Sequence, residues 1–202
     1  MPTSWIDTVL RQTRRVSDTP YPHWAAAFLN NPVRRLIGRP GSVVDSLRLA
    51  GNERVLEIGP GPGYFSTELA RRLPLGRLDL FDLQPQMLDK AARRLAGVDT
   101  GCQVGFHSGD AGAGLPFADH SFDVAFLAAV LGEVPDRDAC IRALERVLNP
   151  GALLVFVEAF PDPDRQSVAA LRELVEPRGF VLQCWEGTTW RDVVQFRRIP
   201  TL

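Results

Sequence analysis

Residues 55–66 read Val-Leu-Glu-Ile-Gly-Pro-Gly-Pro-Gly-Tyr-Phe-Ser, and this stretch decides the fold. Its apolar start predicts a buried strand, and the alternating glycines Gly59, Gly61 and Gly63 predict a tight turn. The pair Phe65 and Leu69, four residues apart, predicts a helix after the turn. Glycines in such a turn permit positive φ angles and let a ligand approach the backbone closely.

The alternation of strand and helix continues along most of the chain. Further strands are predicted at 77–82, 103–107, 122–127, 152–158, 180–185 and 189–197; helices are predicted at 64–73, 85–97, 135–148 and 164–176. The last two strands are joined by a short glycine turn, so they should be antiparallel neighbours. The pattern predicts an α/β, Rossmann-like fold: a seven-stranded, mostly parallel sheet with one antiparallel strand near an edge and helices on both faces.

Residues 1–51 lack this regularity, because Pro20, Pro22, Pro32 and Pro40 divide them into short segments. These segments carry large apolar side chains such as Trp5, Trp24 and Phe28, which are unusual in a solvated tail. We predict an N-terminal helical lid or arm over residues 1–51 and the main domain over residues 52–202. A lid over a site and an arm covering one edge of the sheet both remain open.

Composition limits the classes of function. A formal net charge of −1 argues against a general nucleic-acid binder. The three cysteines form no CxxC pair, which excludes the usual zinc and disulfide patterns and favours a reducing cytoplasm. No apolar run is long enough to span a bilayer, and the first residues do not resemble a signal peptide. The sequence therefore predicts a cytoplasmic protein without a transmembrane segment.

Acidic residues follow the first three predicted strands, where ligands of such sheets bind. The first strand carries Glu57, but the glycine spacing fails the dinucleotide fingerprint at both Tyr64 and Ser66. A carboxylate at Glu57 would repel a pyrophosphate and attract an ammonium group. The structural alternative is that Glu57 accepts hydrogen bonds from the turn's own amides.

The next two acids suit the other parts of a nucleoside. Asp82 ends the second strand, where an acid can accept both hydroxyls of a ribose; its alternative is to cap the helix that begins near Pro85. Asp110 could accept a hydrogen bond from an exocyclic amine, as adenine has. The apolar residues 127–131 suit one face of a flat base or a thioether.

These motifs resemble those of a known family. Residues 55–66 resemble the first motif of the class I S-adenosylmethionine-dependent methyltransferases, and residues 81–88 resemble their second, acidic motif. Residues 109–123 resemble the loop into the fourth strand, and residues 146–151 the turn before the fifth. The likeness covers residues 53–197 and is strongest to the methyltransferase type 11 group, which includes ubiquinone/menaquinone-biosynthesis C-methyltransferases and arsenite methyltransferases.

The resemblance implies S-adenosyl-L-methionine as the cofactor and in-line transfer of its methyl group to a small-molecule acceptor. It implies that the glycines and Glu57 hold the methionine part, that Asp82 binds the ribose, and that Leu127 packs near the sulfonium. Leu83 and Met87 would lie against the adenine. The cofactor-binding candidates are Glu57, Gly59, Pro60, Gly61, Gly63, Tyr64, Asp82, Leu83, Met87, Asp110, Ala111 and Leu127.

A poor nucleophile would also need a base. The candidates are Glu133 and Glu158, after the fourth and fifth strands, and Tyr21 and His23 in the predicted lid. The structural alternatives are helix capping for Glu133 and lid packing for Tyr21 and His23. Gly132 stands where many relatives carry a bulkier polar residue, often His.

The acceptor is the least defined element. Cys102, Cys140 and Cys184 lie on no predicted acceptor-side loop, which argues against a metalloid acceptor. The first 51 residues are rich in Trp and Phe and carry seven arginines against three aspartates, which would suit an apolar or anionic acceptor or a membrane surface. Two other functions stay open: a nicotinamide-dependent oxidoreductase, and a non-catalytic domain that binds the cofactor or a protein.

Overall fold

The computed structural model of the chain describes residues 39–160 and 162–200. The helices are α1 (Pro40–Ser46), α2 (Ser66–Arg71), α3 (Pro85–Leu95), α4 (Arg137–Val147) and α5 (Val168–Val175), with 3-10 turns at Leu131–Glu133 and Glu176–Arg178. The strands are β1 (Arg54–Ile58), β2 (Arg77–Asp82), β3 (Gln103–Ser108), β4 (Phe122–Ala128), β5 (Leu148–Ala159), β6 (Phe180–Gly187) and β7 (Arg191–Arg198).

The strands form one seven-stranded sheet in the order β3-β2-β1-β4-β5-β7-β6. Strand β7 pairs antiparallel with both β5 and β6, and the other neighbours are parallel. The predicted Rossmann-like sheet with one reversed strand near an edge is therefore confirmed. The winding direction changes between β1 and β4, which is where such sheets place their ligands.

Helices cover both faces of the sheet, as predicted. Alternate residues of a buried strand point to opposite faces, so Leu154 and Phe156 of β5 join one core cluster while Leu153 and Val155 join the other. The first cluster includes buried residues of α4 and α5, and the second includes those of α1, α2 and α3. The two cores hold the carboxyl ends of the parallel strands at one common edge.

Three boundaries differ from the predicted ones, and in the two helices the difference is due to a capping residue. The helix predicted to open at Pro135 begins at Arg137, since the Asp136 carboxylate accepts the Ala139 N–H at 2.8 Å. The helix predicted over residues 164–176 begins only at Val168, behind a capping Ser167. Strand β5 begins at Leu148 rather than at residue 152.

The end of the N-terminal segment packs firmly on the sheet. Val43 and Val44 of α1 are buried in the second core cluster, and Asp45 pairs with Arg72 at 2.7 Å. The Gln195 amide of β7 donates to the Ser46 carbonyl at 3.3 Å. Residues 40–46 therefore form an arm on one face of the sheet.

Two predictions fall on residues 1–38, which lie outside the described residues: the lid and its candidate bases Tyr21 and His23. The division of the chain at residue 51 stays a prediction. The described part of the chain contains no helix that is both long and apolar enough to cross a bilayer.

Candidate active site

The glycine turn after β1 is fixed by its neighbours. The Gly59 N–H donates to the Phe81 carbonyl at 2.8 Å, which ties the turn to β2. Gly59 has a φ of 63°, and a Cβ atom there would overlap the Val130 side chain. Gly63 has a φ of 79°, and its Cβ would lie 3.0 Å from Ala91 Cα. Both positions need glycine for conformation and for space.

Gly61 differs from its two partners. Its φ of 52° also favours glycine, but a Cβ atom there would meet nothing within 4 Å. Its N–H donates to the Asp82 carboxylate at 3.2 Å, which links the turn after β1 to the end of the neighbouring strand β2. The middle of the turn therefore faces open space beside a carboxylate.

Asp82 is held by two backbone donors. Besides Gly61, the Gln84 N–H donates to it at 2.8 Å. Burial raises the pKa of Asp82, and the two backbone hydrogen bonds oppose that rise only in part. Gln84, not Asp82, occupies the N-cap position of α3, so the capping interpretation of Asp82 is wrong.

Glu57 lies beneath the turn and is only 2% exposed. Its carboxylate accepts the Ser66 hydroxyl at 2.6 Å, from the first residue of α2. Ser66 is itself fully buried. This contact fixes the start of α2 against the end of β1. It also holds the Glu57 carboxylate in place two residues before the first glycine of the turn.

The neighbouring candidates differ in exposure. Leu83 is largely exposed beside Asp82, whereas Met87 is buried. Asp110 is exposed, and its carboxylate accepts the Gly112 N–H at 2.7 Å, which shapes the loop after β3. Ala111 is buried next to it. An exposed apolar side chain directly after Asp82 can contact one face of a flat ring.

The remaining two cofactor candidates of the turn are less open. Pro60 is buried, and its carbonyl accepts the Gly63 N–H at 3.0 Å. Tyr64 is half-buried and packs edge to face on Phe65, with ring centroids 5.3 Å apart. These residues shape the turn from within.

The loop after β4 reaches back to the glycine turn. Leu127, predicted to pack near the sulfonium, is buried in the first core cluster. The residues beyond it are more open: Ala129 has a φ of 55°, and Val130 packs where a Gly59 side chain would stand. In the loop after β4, Val130 is therefore the residue that packs against the glycine turn.

The candidate base Glu133 ends the 3-10 turn after β4 and is exposed. The capping interpretation is wrong, because Asp136 caps the next helix. Its neighbour Gly132 is crowded: a Cβ atom there would overlap the Asp164 backbone. The loop after β5 thus occupies the space that a bulkier residue at position 132 would fill.

The other described candidate base, Glu158, is 2% exposed. Its carboxylate accepts the Gln166 N–H at 3.0 Å. Burial raises the pKa of Glu158 to about 8, with smaller contributions from Asp162 and Asp192. Arg165, which is paired with Asp192, opposes this rise. A substrate cannot touch this carboxyl group without movement of the loop that covers it.

Metal ions are not indicated at this edge. Among residues 39–160 and 162–200, no group of three or more His, Cys, Asp or Glu side chains is placed to hold a metal ion. A cavity of about 220 Å³ lies at the amino ends of β4 and β5, beside Arg48, Asp123 and Asn149. It is at the opposite end of the sheet from the glycine turn, so we do not assign it to the same site.

The sequence reasoning missed three contacts that shape the site: Ser66 with Glu57, Val130 with Gly59, and Asp164 with Gly132. A hydroxyl nine residues after Glu57, at the start of the predicted helix, was a usable signal. The contacts of Val130 with Gly59 and of Asp164 with Gly132 join loops that are distant in sequence, so no local pattern predicts them.

Comparison with known proteins identifies the family. The sequence model described as "Methyltransferase domain" matches residues 55–151. The ubiquinone/menaquinone biosynthesis C-methyltransferase UbiE of Hahella chejuensis is 33% identical over 116 residues, which are 57% of this chain and 46% of that protein. The demethylmenaquinone methyltransferase of Deinococcus radiodurans is 39% identical over 110 residues, 54% of this chain and 44% of that protein. The aligned part thus spans less than half of each relative.

Solved structures show the same fold. A SAM-dependent methyltransferase from Aquifex aeolicus has a TM-score of 0.79 at 20% identity, covering 89% of this chain and 100% of that one. The cyclase SpnF has a TM-score of 0.69 at 20% identity, covering 79% of each chain. Residues 55–151, which contain the glycine turn and both acidic motifs, therefore match a methyltransferase domain, and the described chain has the fold of the S-adenosylmethionine-dependent methyltransferases.

Proposed function

We propose that this chain transfers a methyl group from S-adenosyl-L-methionine to a small-molecule acceptor. The observation that carries the proposal is the arrangement of Gly61 and Asp82. The glycine faces open space, and the carboxylate beside it is already anchored by two backbone donors. A fixed carboxylate next to an unobstructed backbone suits a ribose with two hydroxyls.

The other residues fit the remaining parts of the cofactor. Glu57, buried under the turn, would attract the ammonium of the methionine part, and Gly59 and Gly63 would keep the backbone close to it. Leu83 and Met87 would contact the adenine, with Asp110 and Ala111 at its edge. Pro60 and Tyr64 would support the turn, and Leu127 would form the core beneath it. These roles are part of the proposal.

When bound, the cofactor supplies a methyl group on a sulfonium, which a nucleophilic atom can displace. The protein then has to orient the acceptor, exclude water and remove a proton where the acceptor holds one. Glu133 is the described carboxylate best placed for the proton, since it is exposed beside the turn that follows β4. Glu158 is covered by Gln166 and serves better to hold the loop.

We propose a quinol as the acceptor class. Support comes from the relatives, whose names refer to ubiquinone, menaquinone and demethylmenaquinone. A quinol ring is an aromatic acceptor that becomes a carbon nucleophile when a base takes its hydroxyl proton, which agrees with the need for a base. The cysteines form no metal-like or disulfide pattern, which supports a reducing cytoplasm as the compartment.

The two alternatives are weaker but testable. A nicotinamide oxidoreductase conflicts with the failed fingerprint and with the buried acid Glu57 under the turn. A non-catalytic or differently catalytic domain is a real alternative, because a cyclase shares the fold. The decisive assay must therefore measure methyl transfer as well as cofactor binding.

The first experiment compares ligands by thermal shift on the full chain. S-adenosylhomocysteine at 100 times its Kd should stabilise the protein by about 2.7 kcal/mol, and NADH should not. The second follows a labelled methyl group from the cofactor to demethylmenaquinol. Stabilisation by NADH alone would refute the proposal, and cofactor binding without transfer to any quinol would refute the acceptor class.

A further inference from the structure

Three aromatic side chains gather at the same edge of the sheet as the candidate site. Strand β6 runs parallel to β5, because both pair antiparallel with β7. The tip of the β6–β7 hairpin therefore lies beside the carboxyl end of β5. Phe160, Trp185 and Trp190 occupy this corner, which we name the aromatic corner.

The aromatic corner is well defined and open to solvent. The Phe160 N–H donates to the Trp190 carbonyl at 2.9 Å, and the two ring centroids are 5.6 Å apart. Trp190 is 42% exposed and Trp185 is 56% exposed. Large aromatic side chains normally lie buried, so two indoles on one rim indicate a contact surface.

A charged network holds this corner in place. The Trp185 indole N–H donates to the Asp192 carboxylate at 3.0 Å. The same carboxylate pairs with Arg165 from the loop after β5. The Trp185 indole is therefore held by its hydrogen bond to Asp192, whereas the Trp190 ring packs beside Phe160.

The corner is also connected to the candidate site. The loop that carries Arg165 begins near Asp164, which lies against Gly132 in the turn after β4. Neighbouring strands are about 4.8 Å apart, so β7 lies about 10 Å from β4 along the edge. An acceptor that lies beside Glu133 would have to extend by about 10 Å along this edge to contact Trp190.

We propose that Trp190, with Phe160 against it, forms the wall that binds the aromatic ring of the methyl acceptor and determines its specificity. This inference rests on the proposed function and names the residues that recognise its substrate class. An indole face stacks well on a flat apolar ring, and a partly buried neighbouring ring limits its movement. Trp185 has its indole N–H committed to Asp192 and supports the corner.

The test uses 1-naphthol, a bicyclic phenol without a quinone's reactivity toward thiols. Calorimetric titration of the full chain saturated with S-adenosylhomocysteine gives the Kd of the probe. Trp190→Ala should raise this Kd about tenfold, and Trp190→Phe should restore most of the affinity. The matched control is Leu75→Ala, because Leu75 is 85% exposed but precedes β2 at the opposite end of the sheet.

The affinity for S-adenosylhomocysteine is measured on every variant. An unchanged value with weaker naphthol binding supports the inference. Equal loss of both ligands, an equal effect of Leu75→Ala, or unchanged naphthol binding overturns it. If Trp190→Ala keeps its affinity for naphthol but no longer binds vesicles of phosphatidylcholine and phosphatidylglycerol, the aromatic corner is a membrane contact. That result would also overturn the inference. Failure of the wild-type chain to bind S-adenosylhomocysteine would instead refute the proposed function.

Discussion

The two halves of the site edge are built differently. Around β1 and β2, the hydrogen bonds join residues within the quoted motifs, as Asp82 does with the Gly61 N–H and Glu57 does with the Ser66 hydroxyl. Around β4, β5 and β7, loops pack on one another, as Asp164 does against Gly132. The cofactor half therefore depends on residue types at fixed spacing, and the acceptor half depends on how loops meet.

Their acids show the same difference. Asp82 is 8% exposed and anchored by two backbone donors beside open space. Glu158 has one such donor, from Gln166, and burial raises its pKa to about 8. The first acid is ready to meet a ligand, whereas the second is a buried group that holds a loop.

The largest expected effect is on the glycine turn. Gly59→Ala introduces a Cβ that overlaps Val130 at a φ of 63°, so we expect a loss of about 3–4 kcal/mol in the free energy of unfolding. Gly97→Ala is the matched control, since its Cβ would meet only the Arg94 carbonyl at 3.8 Å. Urea denaturation measures both. Equal stability of the two variants would mean that Val130 does not fix the turn.

The next effect tests the acceptor half. Glu133→Gln removes the proposed base, so kcat should fall about a hundredfold, which is about 2.7 kcal/mol. The affinity for S-adenosylhomocysteine should not change, because Glu133 belongs to the acceptor half. Glu173→Gln, at an exposed glutamate of α5, is the control. An unaltered kcat would remove Glu133 from the mechanism.

A substitution in the cofactor half should lower the affinity for the cofactor without unfolding the protein. Asp82→Asn keeps an oxygen that can accept one backbone N–H but loses the charge, so affinity for S-adenosylhomocysteine should fall about tenfold. Affinity of the wild-type protein should also weaken as the pH falls through the raised pKa of Asp82. Calorimetry on this variant and on Asp99→Asn, an exposed control, decides the point. Similar affinities would exclude the ribose role.

The smallest effect concerns Glu158. Burial raises the pKa of Glu158 from its ordinary value of 4.5 to about 8 in the folded protein, so between these pH values the native state holds a proton that the unfolded chain has lost. Stability should therefore decrease as pH rises through this window, by about 1 kcal/mol between pH 6.5 and 7.5. Glu158→Gln should remove this slope and Glu173→Gln should leave it. Parallel slopes in all three proteins would show that Glu158 stays ionised.

Much of the cofactor half followed from local patterns. Strand β2 begins and ends where it was predicted, and the short glycine turn between the last two strands correctly indicated an antiparallel pair near the edge. Helix starts were less predictable, because Asp136 and Ser167 cap helices inside stretches that look helical throughout. Capping depends on one side-chain oxygen meeting one N–H, a detail that hydrophobic periodicity does not carry.

Asp79 marks the limit of such patterns. It sits in the apolar strand β2 and is almost fully buried. Arg77 pairs with it at 2.7 Å, and the His107 ring of β3 lies 2.8 Å from it. Burial would raise the pKa of Asp79, but these hydrogen bonds outweigh it and hold the pKa below its usual value. Only the pairing of β2 with β3 brings the histidine to the acid.

The sequence by itself determined the family, the sheet and the residue types of the glycine turn, because strand, turn and acid follow one another along the chain. The tertiary structure alone decided how the loops beyond the strands pack on one another. Val130 lies against Gly59, Asp164 against Gly132 and Trp190 against Phe160, and each contact joins segments that are far apart in sequence. The conformation of a turn depends on residues next to one another in sequence, whereas contacts between loops depend on how the whole sheet brings their strands together.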